Sequence, residues 1–226
     1  MRHKRMMAFL AAGATLACAP LSGSAWAAMP TDKPFSMRGV ELGITLEAFK
    51  ASAIPTDQGE TQTQTWCSDQ KLPSGIMLIQ SVMNTGGGIS CEWFSKNPAS
   101  MLGVSNHWVS IGEGGGIPSF QFVESDGEWR LARISFYANA MYAAPIDDAL
   151  TRGYGAGKSL VEPFQTRAGA TYDNLIHSWD NGLSTITLKH HCLQLDRYCL
   201  TYQHTALAKI LDAADDQRRT DAAGKI

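Results

Sequence analysis

Phe120-Gln121-Phe122-Val123-Glu124-Ser125-Asp126-Gly127-Glu128-Trp129-Arg130-Leu131-Ala132-Arg133-Ile134-Ser135-Phe136-Tyr137 is the stretch that decides the fold. Two strand-like runs flank Asp126-Gly127, and glycine accepts the positive φ that a tight hairpin turn demands. In the second arm Trp129, Leu131, Arg133, Ser135 and Tyr137 fall on one face, and Arg130, Ala132, Ile134 and Phe136 on the other. Each face mixes polar and apolar residues, so both are expected to be partly covered.

The same signal recurs further on. Leu175 to Trp179, the turn Asp180-Asn181-Gly182 and Leu183 to His191 form a second hairpin, and Cys199 to His204 reads as the next strand. Upstream, residues 76–83 are apolar and bounded by Gly75 and Gly86-Gly87-Gly88, and residues 106–111 precede a flexible stretch from Gly112 to Gly116. Three helices are expected. Thr45 caps the first, with Glu47 in its first turn and Leu46 and Phe49 on one face. Pro145 opens the second, with Ile146, Ala149 and Leu150 as its apolar stripe, and Gly153-Tyr154-Gly155 ends it. The third starts near Thr205, with Leu207, Ile210, Leu211 and Ala214 as the stripe.

These elements predict an α+β fold: a mainly antiparallel sheet built from hairpins, with short helices packed on one face. The domain spans 39–215 and divides into halves, 39–140 and 141–215, that are alike in element order. Pro30 and Pro34 make 28–38 an extended leader, and the charged segment 216–226 reads as a flexible tail.

The chain has 226 residues, 44% hydrophobic and 18% charged, which suits a globular protein with a real core. Arg2, Lys4 and Arg5 precede an uncharged run from Met6 to Leu21, and Ala25-Trp26-Ala27 follows. That is the layout of a secretory signal peptide cleaved after Ala27. The run is broken by Gly13 and Pro20 and is too short for a spanning helix. Leu16-Ala17-Cys18 offers a lipoprotein site as the alternative, although Thr15 stands where that pattern usually has Leu.

Cleavage takes the formal charge from −2 to −5. A mildly acidic chain without a basic patch has no electrostatic case for nucleic acid, and no polybasic cluster to hold it on an anionic membrane. Four cysteines remain: Cys67, Cys91, Cys192 and Cys199. An even count in an exported chain reads as disulfides, and sequence proximity favours 67–91 with 192–199. The alternative is a metal held by His190, His191, Cys192, Cys199 and His204. The spacing fits no zinc pattern, and adjacent His190 and His191 on a strand would point to opposite faces.

Gly39-Val40-Glu41-Leu42-Gly43, followed by the Thr45-capped helix and a later hairpin, resembles the opening of exported bacterial modules. It is similar to the outer-membrane assembly lipoprotein and β-lactamase-inhibitor-like modules, where such a turn leads into a helix on an antiparallel sheet. The second half, with Leu150 to Gly155 and Trp179 to Gly182, also resembles uncharacterised periplasmic proteins. The resemblance covers about a quarter of the mature chain. It implies a role in binding other proteins and transfers no catalytic residue.

Catalytic motifs fail one by one. Gly153 to Ser159 lacks the P-loop's first glycine, since Arg152 stands there, and it follows a helix rather than a strand. Ser68-Asp69-Gln70-Lys71 fits Ser-x-x-Lys, but no Lys-Thr-Gly or Ser-Asp-Asn follows. No nucleophile elbow or His-Glu-x-x-His occurs. A triad recognised by geometry alone would draw its base from His107, His177, His190, His191 or His204. Trp93 and Trp108 are the aromatic candidates for a binding surface, Trp93 as an exposed anchor beside Cys91.

The favoured reading is a non-enzymatic exported protein that binds a protein or envelope component through its sheet face and loops. Trp93, Trp108, His190 and His191 are its candidate binding residues. No cofactor or metal is implied. An envelope hydrolase with a His-based site and a metal-binding protein are the alternatives.

Overall fold

The structure is a computed structural model that describes residues 32–57, 62–78 and 88–224. The signal segment, Cys18 and residues 79–83 of the apolar run 76–83 lie outside the described residues; the rest of that run, 76–78, is not in a strand.

Fifteen named segments follow in chain order. They are β1 (Ser36–Met37), β2 (Val40–Glu41), α1 (Leu46–Ala51), β3 (Thr63–Cys67), β4 (Ile89–Lys96), β5 (Val104–Asn106), β6 (Val109–Ile111), β7 (Gly114–Ser125) and β8 (Glu128–Asn139). After a 3-10 turn come α2 (Ala143–Tyr154), β9 (Lys158–Gln165), β10 (Thr171–Asp180), β11 (Ser184–Lys189), β12 (Arg197–His204) and α3 (Thr205–Ala223). Among the described residues all strand pairings are antiparallel, and the main sheet runs β3-β4-β7-β8-β12-β11-β10-β9. The mainly antiparallel α+β expectation holds.

The β7–β8 hairpin closes through Asp126 at φ 54° and Gly127 at φ 78°, the double positive-φ turn that its sequence called for. The faces of β8 differ from simple alternation. Gln121 pairs with Arg133 but Phe122 with Leu131, so Ala132 is an extra residue in a bulge. The bulge turns Leu131 onto the same core as Ile134 and Phe136, and sends Ala132 to the other face.

Thr45 caps α1 as expected, its Oγ1 accepting from the Ala48 amide at 3.2 Å. Phe49 of α1 sits on Trp93, Phe120 and Phe122, with ring centroids 4.6–5.9 Å apart. Such aromatic pairs contribute about 0.5–1.5 kcal/mol each beyond their burial. Gly43, at φ 86°, lets the chain turn so that its amide donates to the Leu131 carbonyl at 2.8 Å. Phe35 and Met37, within the segment read as an extended leader, are buried in the same core.

Further expectations are corrected. Gly112 to Gly116 is not a flexible stretch: Gly114–Gly116 begin β7 and pair with β6 beneath α2. A Cβ on Gly114 would lie 2.7 Å from Ile146 and 2.9 Å from the Tyr142 carbonyl, so glycine is what allows helix and strand to touch. The last helix buries Leu207, Ala208, Leu211 and Asp215, whereas Ile210 is 42% exposed. It extends to Ala223, with Asp215–Arg218 and Asp216–Arg219 pairs along it. It also packs against Val123 and Ala132, on the face opposite α1 and α2, so the helices do not share one face.

Candidate functional site

Period-two alternation builds one open site. Along β12, Tyr198, Leu200 and Tyr202 enter the core, while Cys199, Thr201 and Gln203 point the other way. The neighbouring strands add Arg133, Ser135 and Tyr137 from β8 and Thr187 and Lys189 from β11. Together they line a groove of about 660 Å³ on the sheet face away from α1 and α2. Cys192 and Leu193 close one end. At the other, the Arg133 guanidinium donates to Asp212 of α3 at 2.7 Å. Arg197 lies over the Tyr137 ring at 5.5 Å, adding a second cation to the Leu193 end. Hydroxyl, amide and cationic groups share this shallow floor with the apolar surfaces of Phe136, Tyr137 and Leu193.

The cysteines form Cys67–Cys91 and Cys192–Cys199. The first joins directly paired residues of β3 and β4 inside the core, and the second holds the loop at the rim of the groove. With those sulfurs bonded to each other, no thiolate remains for the metal alternative. Among the described residues no group of three His, Cys, Asp or Glu side chains is placed to hold a metal ion.

On the opposite face the fold gathers a polar cluster. Asp147 lies within the buried face of α2, between Ile146 and Leu150, and is itself buried. Its Oδ1 is 2.6 Å from His177 Nδ1, and its Oδ2 is 3.4 Å from His190 Nε2. The His177 and His190 rings stand 6.4 Å apart, with Trp179 edge-on to His177. Burial holds the His190 imidazole below the usual histidine range, against the upward pull of the Asp147 carboxylate. A carboxylate that orients an imidazole is half of a general-base arrangement. Ser159 is the cross-strand neighbour of His177, yet among the described residues no hydroxyl hydrogen-bonds to either ring.

The remaining candidates scatter. Trp93 is fully buried between Phe49 and Phe120, not an exposed anchor, because β4 passes directly beneath α1. Trp108 is 37% exposed and rests edge-on against Tyr142. His191 turns away from His190 and lies 2.6 Å from the Leu195 carbonyl. His204 approaches Gly43 and accepts from the Leu207 amide through Nδ1, at the start of α3. His107 is buried, with Nδ1 2.6 Å from Ser95 Oγ and Nε2 2.7 Å from the Pro55 carbonyl.

Asp147 and the floor of the groove are not among the candidates expected from the sequence. An acidic residue inside an apolar helical stripe was the available signal for the first. The polar alternation Cys199, Thr201, Gln203 was the signal for the second.

The chain matches no protein-family model, no curated protein and no solved structure.

Proposed function

We propose that this chain is an exported, non-enzymatic binding module that takes a protein or another cell-envelope component on its open sheet face. The observation that carries the reading is the groove of β8, β12 and β11, open among the described residues and floored by Ser135, Thr187, Thr201 and Gln203. The export layout of residues 1–27 and the two disulfides support a periplasmic or secreted location, with lipidation at Cys18 as the alternative. The opening turn's resemblance to outer-membrane assembly and β-lactamase-inhibitor-like modules points the same way. Two similar halves are part of this reading: the sheet order mirrors about β8–β12, and a helix precedes each four-strand arm.

A photo-crosslinking residue placed at Thr201 tests it in the producing cell. Discrete adducts are expected, lost when Thr187→Trp fills the groove and absent when the crosslinker sits at Arg152 on α2. No adduct across growth conditions, or adducts indifferent to Thr187→Trp, would overturn the reading.

One observation favours a second reading, an envelope hydrolase: the Asp147–His177 pair beside exposed Ser159. Turnover on ester, peptide or glycan panels that disappears with both His177→Ala and Ser159→Ala would establish it in place of the first.

A further inference from the structure

We propose that two copies of this chain associate edge to edge through β9, forming a two-fold dimer whose strands pair antiparallel about Leu160. The inference goes beyond the groove and does not depend on what occupies it.

β9 is the last strand of the main sheet, and among the described residues it pairs with β10 on one side only. Seven of its eight residues are exposed, including Leu160 at 53% and Val161 at 57%. A long edge with exposed apolar side chains is a template for another strand.

The ladder shows which backbone groups are free. The Thr166 amide donates to the Ala170 carbonyl at 2.8 Å, and the β9–β10 register continues that pairing without a shift. Hydrogen-bonded pairs alternate in an antiparallel ladder, so residues 158, 160, 162 and 164 bond to β10, and 159, 161, 163 and 165 face outward. The other side of β10 agrees, because the Leu175 carbonyl opposite Val161 accepts from His190 instead. Pro163, which has no N–H, falls at an outward position; the missing donor costs β10 nothing and leaves Ser159, Val161 and Gln165 as the outward N–H donors of β9.

A second copy fits this edge in one register better than its neighbours. Centring the pair on Leu160 sets Ser159 opposite the partner's Val161, and Val161 opposite the partner's Ser159. Both are outward positions whose N–H and C=O groups can exchange bonds. The same register sets Lys158 opposite the partner's Glu162 at each end. Neither residue makes an ion pair among the described residues. Moving the centre to Val161 sets Leu160 against Glu162 and loses both charge pairs. A two-fold contact of this kind uses the same patch on both copies and closes, so it does not propagate into a fibre. Leu160 shares its face with Ile176, which pairs with groove-lining Lys189, so the dimer carries both grooves on one side.

Sedimentation of the full disulfide-bonded chain over a concentration series tests the proposal. A reversible dimer is expected. Lys158→Glu alone and Glu162→Lys alone should each raise its Kd at least about tenfold, through like charges directly opposite one another, and combining the two should restore it. Leu160→Cys should give a covalent dimer on oxidation, since a non-hydrogen-bonded pair on the axis brings the two Cβ atoms together, and Val161→Cys should not. The proposal is overturned by a chain monomeric at every concentration, by a dimer indifferent to the charge reversals, or by crosslinking at Val161→Cys instead. These variants lie on an exposed edge, and circular dichroism confirms folding in each.

Discussion

His177 Nδ1 and Asp147 Oδ1 lie 2.6 Å apart, joining the buried face of α2 to the middle of β10. The same carboxylate reaches His190 at 3.4 Å, so one acidic residue organises two imidazoles that are 13 positions apart in sequence. An acid in an apolar helical stripe is retained at a cost unless it is paired, which is what the two rings provide.

Asp147→Ala should therefore destabilise the fold by about 1.5–3 kcal/mol, the range for a hydrogen bond to a charged group that leaves its partner behind. Urea unfolding should show a lower midpoint at an unchanged slope.

Stability should also fall with acid. Burial is the leading cause that lowers proton affinity at both His190 and His204 below the ordinary value of 6.5. The unfolded chain then binds more protons below about pH 6.5, so stability is complete above that pH and declines as pH drops toward the folded value. At His190 the groups facing the ring are Asp147 from α2, His177 from β10 and His191 beside it. Melting temperatures measured from pH 7.5 to 5.5 should drop for the native chain and drop less for His190→Gln.

The two disulfides should differ in weight. Cys67–Cys91 closes a separation of 24 residues and Cys192–Cys199 one of 7. Loop-closure entropy assigns about 3.5 kcal/mol to the longer and about 2.5 kcal/mol to the shorter. Cys67→Ala/Cys91→Ala should lose more stability than Cys192→Ala/Cys199→Ala in parallel urea titrations. The second pair of substitutions should also loosen the groove rim, read as faster amide exchange near Leu193.

Glycine substitutions should have opposite signs. Gly114→Ala drives a methyl into Ile146 and the Tyr142 carbonyl and should cost about 1–3 kcal/mol. Gly153→Ala, in the last turn of α2 with open space around it, should gain about 0.5–1 kcal/mol from helix propensity. Thermal melts of the two variants side by side check both.

Local chemistry was enough to read several elements from the chain alone. Asp126-Gly127 announces its hairpin because few other dipeptides accept two positive φ values. Thr45 announces α1 because its hydroxyl satisfies an amide within three residues. Cys67 and Cys91, and Cys192 and Cys199, pair as their closeness in sequence implies. Each of these depends on atoms a few residues apart, or on short loops.

What depended on distant neighbours was decided by the tertiary structure. Alternation along β8 reverses at a bulge set by the register against β7, so Leu131 and Ala132 exchange faces. Trp93 is buried because α1 folds over β4, and Gly114 sits under α2 rather than in a loose connection. Asp147, His177 and His190 come together only when α2 packs on β10 and β11, and the groove exists only where β8 lies beside β12. Burial and register are properties of what a residue meets across the sheet, and a one-dimensional pattern does not contain those partners.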